Sequence, residues 1–168
     1  YKVKTKHILA ITYTEKAAKE LKGRIIYEIG SEGQSMTVGT FHSFCFKILK
    51  EFSNNTLPQL LEGSEAIHLF LERFDSLGPF ESDEFPMNPQ KAVTESFIPF
   101  FSRLKDELID PIKMEIPEPN EGGPITKEIA NQLRDLQRIY PQFQRWKQKL
   151  NVFDYGDMVV LAHNILNT

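Results

Sequence analysis

Apolar positions in the first third of the chain come in two kinds of run. His7 to Thr12 (His-Ile-Leu-Ala-Ile-Thr) is short and unbroken. It does not alternate, so it predicts a strand buried on both faces, as in a parallel sheet. Thr14 suits a helix N-cap, and Ala17, Ala18, Leu21, Ile25 and Ile29 follow at helical spacing. Lys16, Lys19, Lys22 and Arg24 take the other faces, and Gly30 and Gly33 mark the end. Met36 to Phe41 predicts a second strand. Ser43 then caps a helix carrying Phe44, Ile48, Leu49 and Phe52, with Phe41 and Phe44 read as core. Strand–helix–strand–helix is the order of an α/β fold.

After Ser53 every segment reads as helical. Ser64 caps a helix with Ile67, Phe70, Leu71 and Phe74, closed by Gly78. Asn88-Pro89 is a start signal for a helix toward Ile109 that should kink at Pro99. Residues 110–125 hold four prolines and two adjacent glycines and read as an exposed loop. From Thr126, Ile129, Leu133, Leu136, Tyr140, Phe143 and Leu150 form a long amphipathic stripe in which Pro141 predicts a bend and Trp146 is a packing residue. The last helix starts at Asp154, whose side chain can cap it, with Asp157 three residues on and Phe153 placed to staple onto Met158.

Composition agrees with a folded domain. The chain has 168 residues, 40% hydrophobic and 26% charged, enough to bury a core without disulfides or metals. No run reaches the roughly 18 apolar residues of a membrane span, so no membrane role is expected. The single Cys45 excludes an internal disulfide and fits a reducing, cytoplasmic compartment.

Charge changes the picture by its distribution. Residues 1–50 carry nine Lys/Arg against four Asp/Glu, net +5; residues 51–128 carry six against sixteen, net -10; residues 129–168 carry five against three, net +2. The total of -3 argues against a nucleic-acid binder. The basic ends allow a working segment at each end and a differently used insertion between them.

Several chemistries are missing. Neither Gly-x-Gly-x-x-Gly nor Gly-x-x-x-x-Gly-Lys-Ser/Thr occurs, so no phosphate cradle of those types is present. Asp83-Glu84 and Asp106-Glu107 do not follow apolar strands, as a Mg-holding pair would. His42 and Cys45 lack the further ligands zinc needs, and Cys45 reads as a small buried hydrophobe. No catalytic, cofactor or metal residue is assigned.

Three segments carry a resemblance. They are Ile8 to Ile25, containing Thr12-Tyr13-Thr14-Glu15-Lys16-Ala17-Ala18; Thr37-Val38-Gly39-Thr40-Phe41-His42-Ser43-Phe44; and Phe153-Asp154-Tyr155-Gly156-Asp157-Met158. In order and spacing they resemble motif Ia, the Thr-Phe-His-Ser motif and the segment before the Asp-Glu box of UvrD/Rep-like superfamily 1 DNA helicases, including the related RecB/AddA group. Ser102 to Glu107 resembles, more weakly, a lysine-bearing piece of the helical insertion called subdomain 1B.

The resemblance implies an α/β fold: part of a parallel-sheet motor domain of the P-loop NTPase type, with a mainly helical inserted subdomain. It implies residues 1–52 as part of subdomain 1A, 53–150 as the 1B-like insertion and 151–168 as the return helix. The P-loop and the Asp-Glu box fall outside the chain, so ATP and Mg2+ are expected of the full-length protein and no cofactor of this piece, which alone should not hydrolyse ATP. The implied activity is gripping single-stranded DNA for an ATP-dependent, 3′-to-5′ helicase in repair, replication or recombination. The implied partners are single-stranded DNA, single/double-strand junctions and the remaining helicase domains.

The residues support this on their own terms. Single strands are held by base–aromatic stacking and by donors to phosphates. Tyr13 leaves a strand at its C-terminal end, where ligands of open parallel sheets collect. Thr14 and the helix start behind it offer a hydroxyl and amides to a phosphate, and Lys16 adds charge. Thr40, His42 and Ser43 repeat this at the second strand. Arg103 and Lys105 are candidate contacts to duplex DNA from the insertion. Such helicases more often have Phe at the Tyr13 position, which preserves stacking, and often have Asn where Glu15 stands; a carboxylate beside a phosphate track is unfavourable. The competing class is a non-catalytic helical adaptor with a helicase-like fold, which the acidic middle would suit.

Overall fold

Strand β1 (Leu9–Thr12) pairs in parallel with β2 (Thr37–Thr40), joined by helix α1 (Glu15–Ile29) and a 3-10 turn at Gly30–Ser35. In the computed structural model, residues 3–53, 56–120 and 122–167 are described. They form two compact units: residues 1–57 with 161–168, and residues 58–160.

In the first unit the register sets Leu9 beside Thr37 and Thr12 beside Thr40. Helix α1 ends at Gly30, whose φ of 67° is a conformation that suits glycine. Helix α2 (Phe41–Phe52) follows β2 directly and buries Cys45, Ile48 and Leu49, while α1 buries Ala18. Two expectations are corrected. β1 is not buried on both faces: Leu9 and Ile11 are 43% and 42% exposed while Ala10 and Thr12 are half-buried, because two strands and their helices cover one face only. β2 stops at Thr40, which is the N-cap of α2. Phe41 is therefore the first helical residue, and a first-turn position left it 49% exposed rather than in the core.

The second unit is mainly helical but not wholly so. A short strand β3 (Gln59–Leu60) pairs in parallel with β4 (Val152–Phe153), two residues each, too brief for any period to reveal. Between them lie α3 (Gly63–Glu72), a 3-10 turn (Phe74–Leu77), the single turns α4 (Glu84–Met87) and α5 (Pro89–Lys91), then α6 (Ile98–Asp106) and the long α7 (Lys127–Leu150). Helix α8 (Tyr155–Leu166) begins here and ends among the residues of the first unit. The Asn88-Pro89 start signal holds, and Asn88 and Thr126 cap α5 and α7, accepting from the Lys91 and Ile129 amides. Helix α3 is capped by Glu62, two residues ahead of the expected Ser64, in a reciprocal box with Glu65. The kink expected at Pro99 takes the form of a π-helical turn at Ala92–Phe97, closed by the Ile98 amide on the Val93 carbonyl. The wider turn relieves the clash a proline ring makes with the carbonyl four residues back.

Aromatic rings fill this unit. Phe70, Phe97, Phe101 and Phe143 are almost wholly buried. Phe70 lies 4.5 Å from Phe143 and 5.5 Å from Phe97 between ring centroids. Each such burial stabilises by about 2–3 kcal/mol. Trp146 packs edge-on to Phe70 at 5.7 Å. Asp135, fully buried, accepts from the Glu81 and Ser82 amides and pairs with Arg138, each at 2.9 Å. It pins the 78–84 segment, and no local sequence signal marked it.

Candidate nucleic-acid interface

Parallel pairing brings the C-terminal ends of β1 and β2 side by side, so two helix starts share one edge of the sheet. At the first, Thr14 caps α1: its hydroxyl accepts from the Ala17 amide at 3.1 Å. The amides of Glu15 and Lys16 precede the first internal helix bond, from Ala18 to the Thr14 carbonyl, and leave the helix end positive. Tyr13 stands between strand and cap with its side chain wholly exposed (101%). Lys16 is exposed on the first turn.

At the second start, Thr40 and Ser43 form a reciprocal capping box. The Ser43 amide donates to Thr40 Oγ1 at 3.1 Å, and Ser43 Oγ accepts from the Thr40 amide at 2.8 Å. Ser43 is thus the third helical residue, not the cap the sequence suggested. Gly39 makes room for this, since a Cβ there would lie 2.6 Å from Ser43 Oγ. His42 is exposed and meets the Phe41 ring edge-on at 6.3 Å. One contact was not legible in the sequence: buried Thr40 donates its hydroxyl to Glu15 Oε1 at 2.9 Å, tying the second helix start to the first.

Tyr13, Thr14, Lys16, Thr40, His42 and Ser43 thus gather at one sheet edge. Thr40 is turned inward, and Phe41 joins the exposed group. The edge offers rings for stacking and helix starts for anions. The sequence has no Gly-x-x-x-x-Gly-Lys-Ser/Thr loop, and among the described residues no group of three or more His, Cys, Asp and Glu is placed to hold a metal.

Arg103 and Lys105 lie in the other unit and differ from each other. Arg103 is exposed and paired with Glu107 at 2.7 Å. Lys105 is not a surface residue, and its assignment to duplex DNA is corrected: its side chain is 4% exposed, and its ammonium lies 2.6 Å from Asp154 Oδ2 and 2.8 Å from Asp157 Oδ1. The buried Lys147 pairs with the same two carboxylates. Asp154 and Asp157 also cap α8 reciprocally, each accepting the other's amide, at 2.9 and 3.0 Å. Burial by itself would raise the Asp154 carboxyl, but the two ammonium groups more than reverse this and hold it at about 2. Burial likewise opposes the charge on Lys105, and the two carboxylates overcome it and raise its pKa. Gly156 is required here because a Cβ would lie 2.6 Å from Lys105 Cδ. A small cleft of about 140 Å3 beside the cluster is walled by Leu61, Ala66, Ile98, Phe101 and Phe143.

All of residues 1–168 match the model of the UvrD/REP helicase N-terminal domain. The chain belongs to that family. It is 26% identical over 160 residues to an ATP-dependent DNA helicase PcrA of Staphylococcus epidermidis, covering 95% of this chain and 20% of the relative. It is 28% identical over 154 residues to the ATP-dependent DNA helicase UvrD1 of Mycobacterium tuberculosis, covering 90% and 18%. A probable DNA helicase II homolog of Mycoplasma capricolum is 26% identical over 164 residues, covering 94% and 20%. The chain spans about a fifth of the length of these relatives of the UvrD/REP family. Among the described residues no helix is long and apolar enough to cross a membrane.

Proposed function

We propose that the edge formed by the ends of β1 and β2 grips single-stranded DNA within an ATP-dependent helicase motor. The observation that carries this reading is Tyr13: an aromatic ring wholly in solvent, at the end of a parallel strand, beside two helix starts. A base stacks on Tyr13, with Phe41 as a second ring at the neighbouring start. Phosphates meet the first-turn amides of α1, the Thr14 hydroxyl and the Lys16 ammonium. His42 and Ser43 line the second start. Thr40 positions this turn from within.

On this reading the first unit is a part of motor subdomain 1A and the second a 1B-like insertion. ATP and Mg2+ are bound by other parts of the full-length protein, so the piece alone does not hydrolyse ATP. The substrates are single strands and single/double-strand junctions, moved 3′-to-5′ in cytoplasmic repair, replication or recombination. Lys105 has no part in DNA contact.

Salt titration tests the grip. Binding of a fluorescent oligo(dT) by the full-length protein should weaken steeply as salt rises, as counterion release requires. Binding that is absent at low salt, or indifferent to salt, contradicts the reading.

A further inference from the structure

We infer that Glu15 holds the DNA grip weak on purpose: it is a built-in anion at the edge where the strand's phosphate must sit. The inference rests on the single-strand reading above. It starts from the Thr40–Glu15 hydrogen bond. Thr40 Oγ1 uses its one proton on Glu15 Oε1 and one of its lone pairs on the Ser43 amide. A phosphate oxygen accepts, and the only proton Thr40 Oγ1 could give it is already spent inside the protein. A phosphate at this edge receives nothing from Thr40 unless it displaces Glu15.

Position reinforces this. Glu15 is the first residue of α1, where the positive helix end favours an anion. Its carboxylate is anchored to the cap of α2, so it lies at both starts rather than swinging away into solvent. The edge that attracts a phosphate already holds one negative charge. A strand that binds does so against Coulomb repulsion at close range, and each step along the strand is released with the help of the same repulsion. Lys16, the next residue, supplies the opposing attraction. Glu15 and Lys16 together set the affinity between a grip that never lets go and one that never forms.

The test compares three variants of the full-length protein by oligo(dT) anisotropy. Glu15→Gln keeps an acceptor for the Thr40 hydroxyl and removes only the charge. Glu20→Gln removes the same charge from an exposed position farther along α1. Tyr13→Ala probes the grip itself. Glu15→Gln should tighten binding about two- to fivefold at low salt, the effect of one charge at a helix end. The gain should fade as salt screens it, while Glu20→Gln leaves binding unchanged. Equal effects of the two Gln variants, or weaker binding by Glu15→Gln, overturn the inference while a loss in Tyr13→Ala keeps the single-strand reading. No loss in Tyr13→Ala sinks that reading, and the inference with it. Circular dichroism of Glu15→Gln confirms that α1 is intact.

Discussion

Replacing Lys105 with Met should destabilise the helical unit more than any surface charge change. The methionine keeps the apolar stem that packs beside Gly156 and removes only the ammonium. What is lost is set by geometry: contacts at 2.8 and 2.6 Å to Asp154 and 2.8 Å to Asp157, in a side chain 4% exposed. Two carboxylates then share Lys147 alone, and one buried negative charge is left unbalanced. Breaking a buried pair in this way costs about 3–5 kcal/mol, against a total stability of roughly 5–15 kcal/mol for a domain. Adding Asp157→Asn removes the surplus charge while keeping an oxygen to accept the Asp154 amide. The double variant should recover about 2 kcal/mol of the loss, a coupling typical of groups in direct contact. Urea unfolding followed by Trp146, the sole tryptophan and packed on Phe70, reads the effect directly. A cost below about 1 kcal/mol for the single variant, the range of exposed pairs, would refute the reasoning. So would a double variant no more stable than the single one.

The same cluster predicts an acid response. The Asp154 carboxyl is lowered from 3.8 to about 2, so its contribution is complete above about pH 4 and is lost as pH falls toward 2, worth about 2 kcal/mol; urea midpoints measured across that window should fall, and Asp154→Asn should flatten the slope. Gly156→Ala puts a methyl 2.6 Å from Lys105 Cδ and should cost about 1–3 kcal/mol in the same unfolding assay. Thr40→Ala removes the α2 capping box and the link to Glu15, and should cost about 1 kcal/mol, seen as a lower thermal midpoint by circular dichroism.

Much of the first unit was legible because its signals are local. A capping threonine, a 3.6-residue period and a terminal glycine are each contained within one element and lie where expected, and the apolar run from His7 to Thr12 yields a strand over its last four residues, Leu9–Thr12. Its errors came from neighbours. The sequence could not say that Leu9 and Ile11 lack a covering layer, or that Thr40 rather than Ser43 begins α2, since both residues suit a cap and the reciprocal box makes each serve the other. The Asp154–Asp157 cap was readable from its three-residue spacing. That Lys105 and Lys147 reach those carboxylates was not, because the partners are 49 and 7 residues from Asp154 and a lysine on a helix ordinarily faces water. Asp135 was missed for the same reason. Tyr13, Thr14 and His42 could be singled out because the motifs that resemble the helicase family are runs of adjacent residues, whereas the Glu15–Thr40 contact spans 25 positions and exists only once the strands pair.

The central claim is that the Tyr13 ring stacks on a base. Single-strand affinity of Tyr13→Ala and Tyr13→Phe in the full-length protein tests it most directly. The account predicts that Tyr13→Ala loses about 1–3 kcal/mol of binding, the worth of one stacked base, while Tyr13→Phe binds as the parent does. Equal affinity for all three proteins would contradict it, and an equal loss in both variants would place the contact on the hydroxyl and not on the ring.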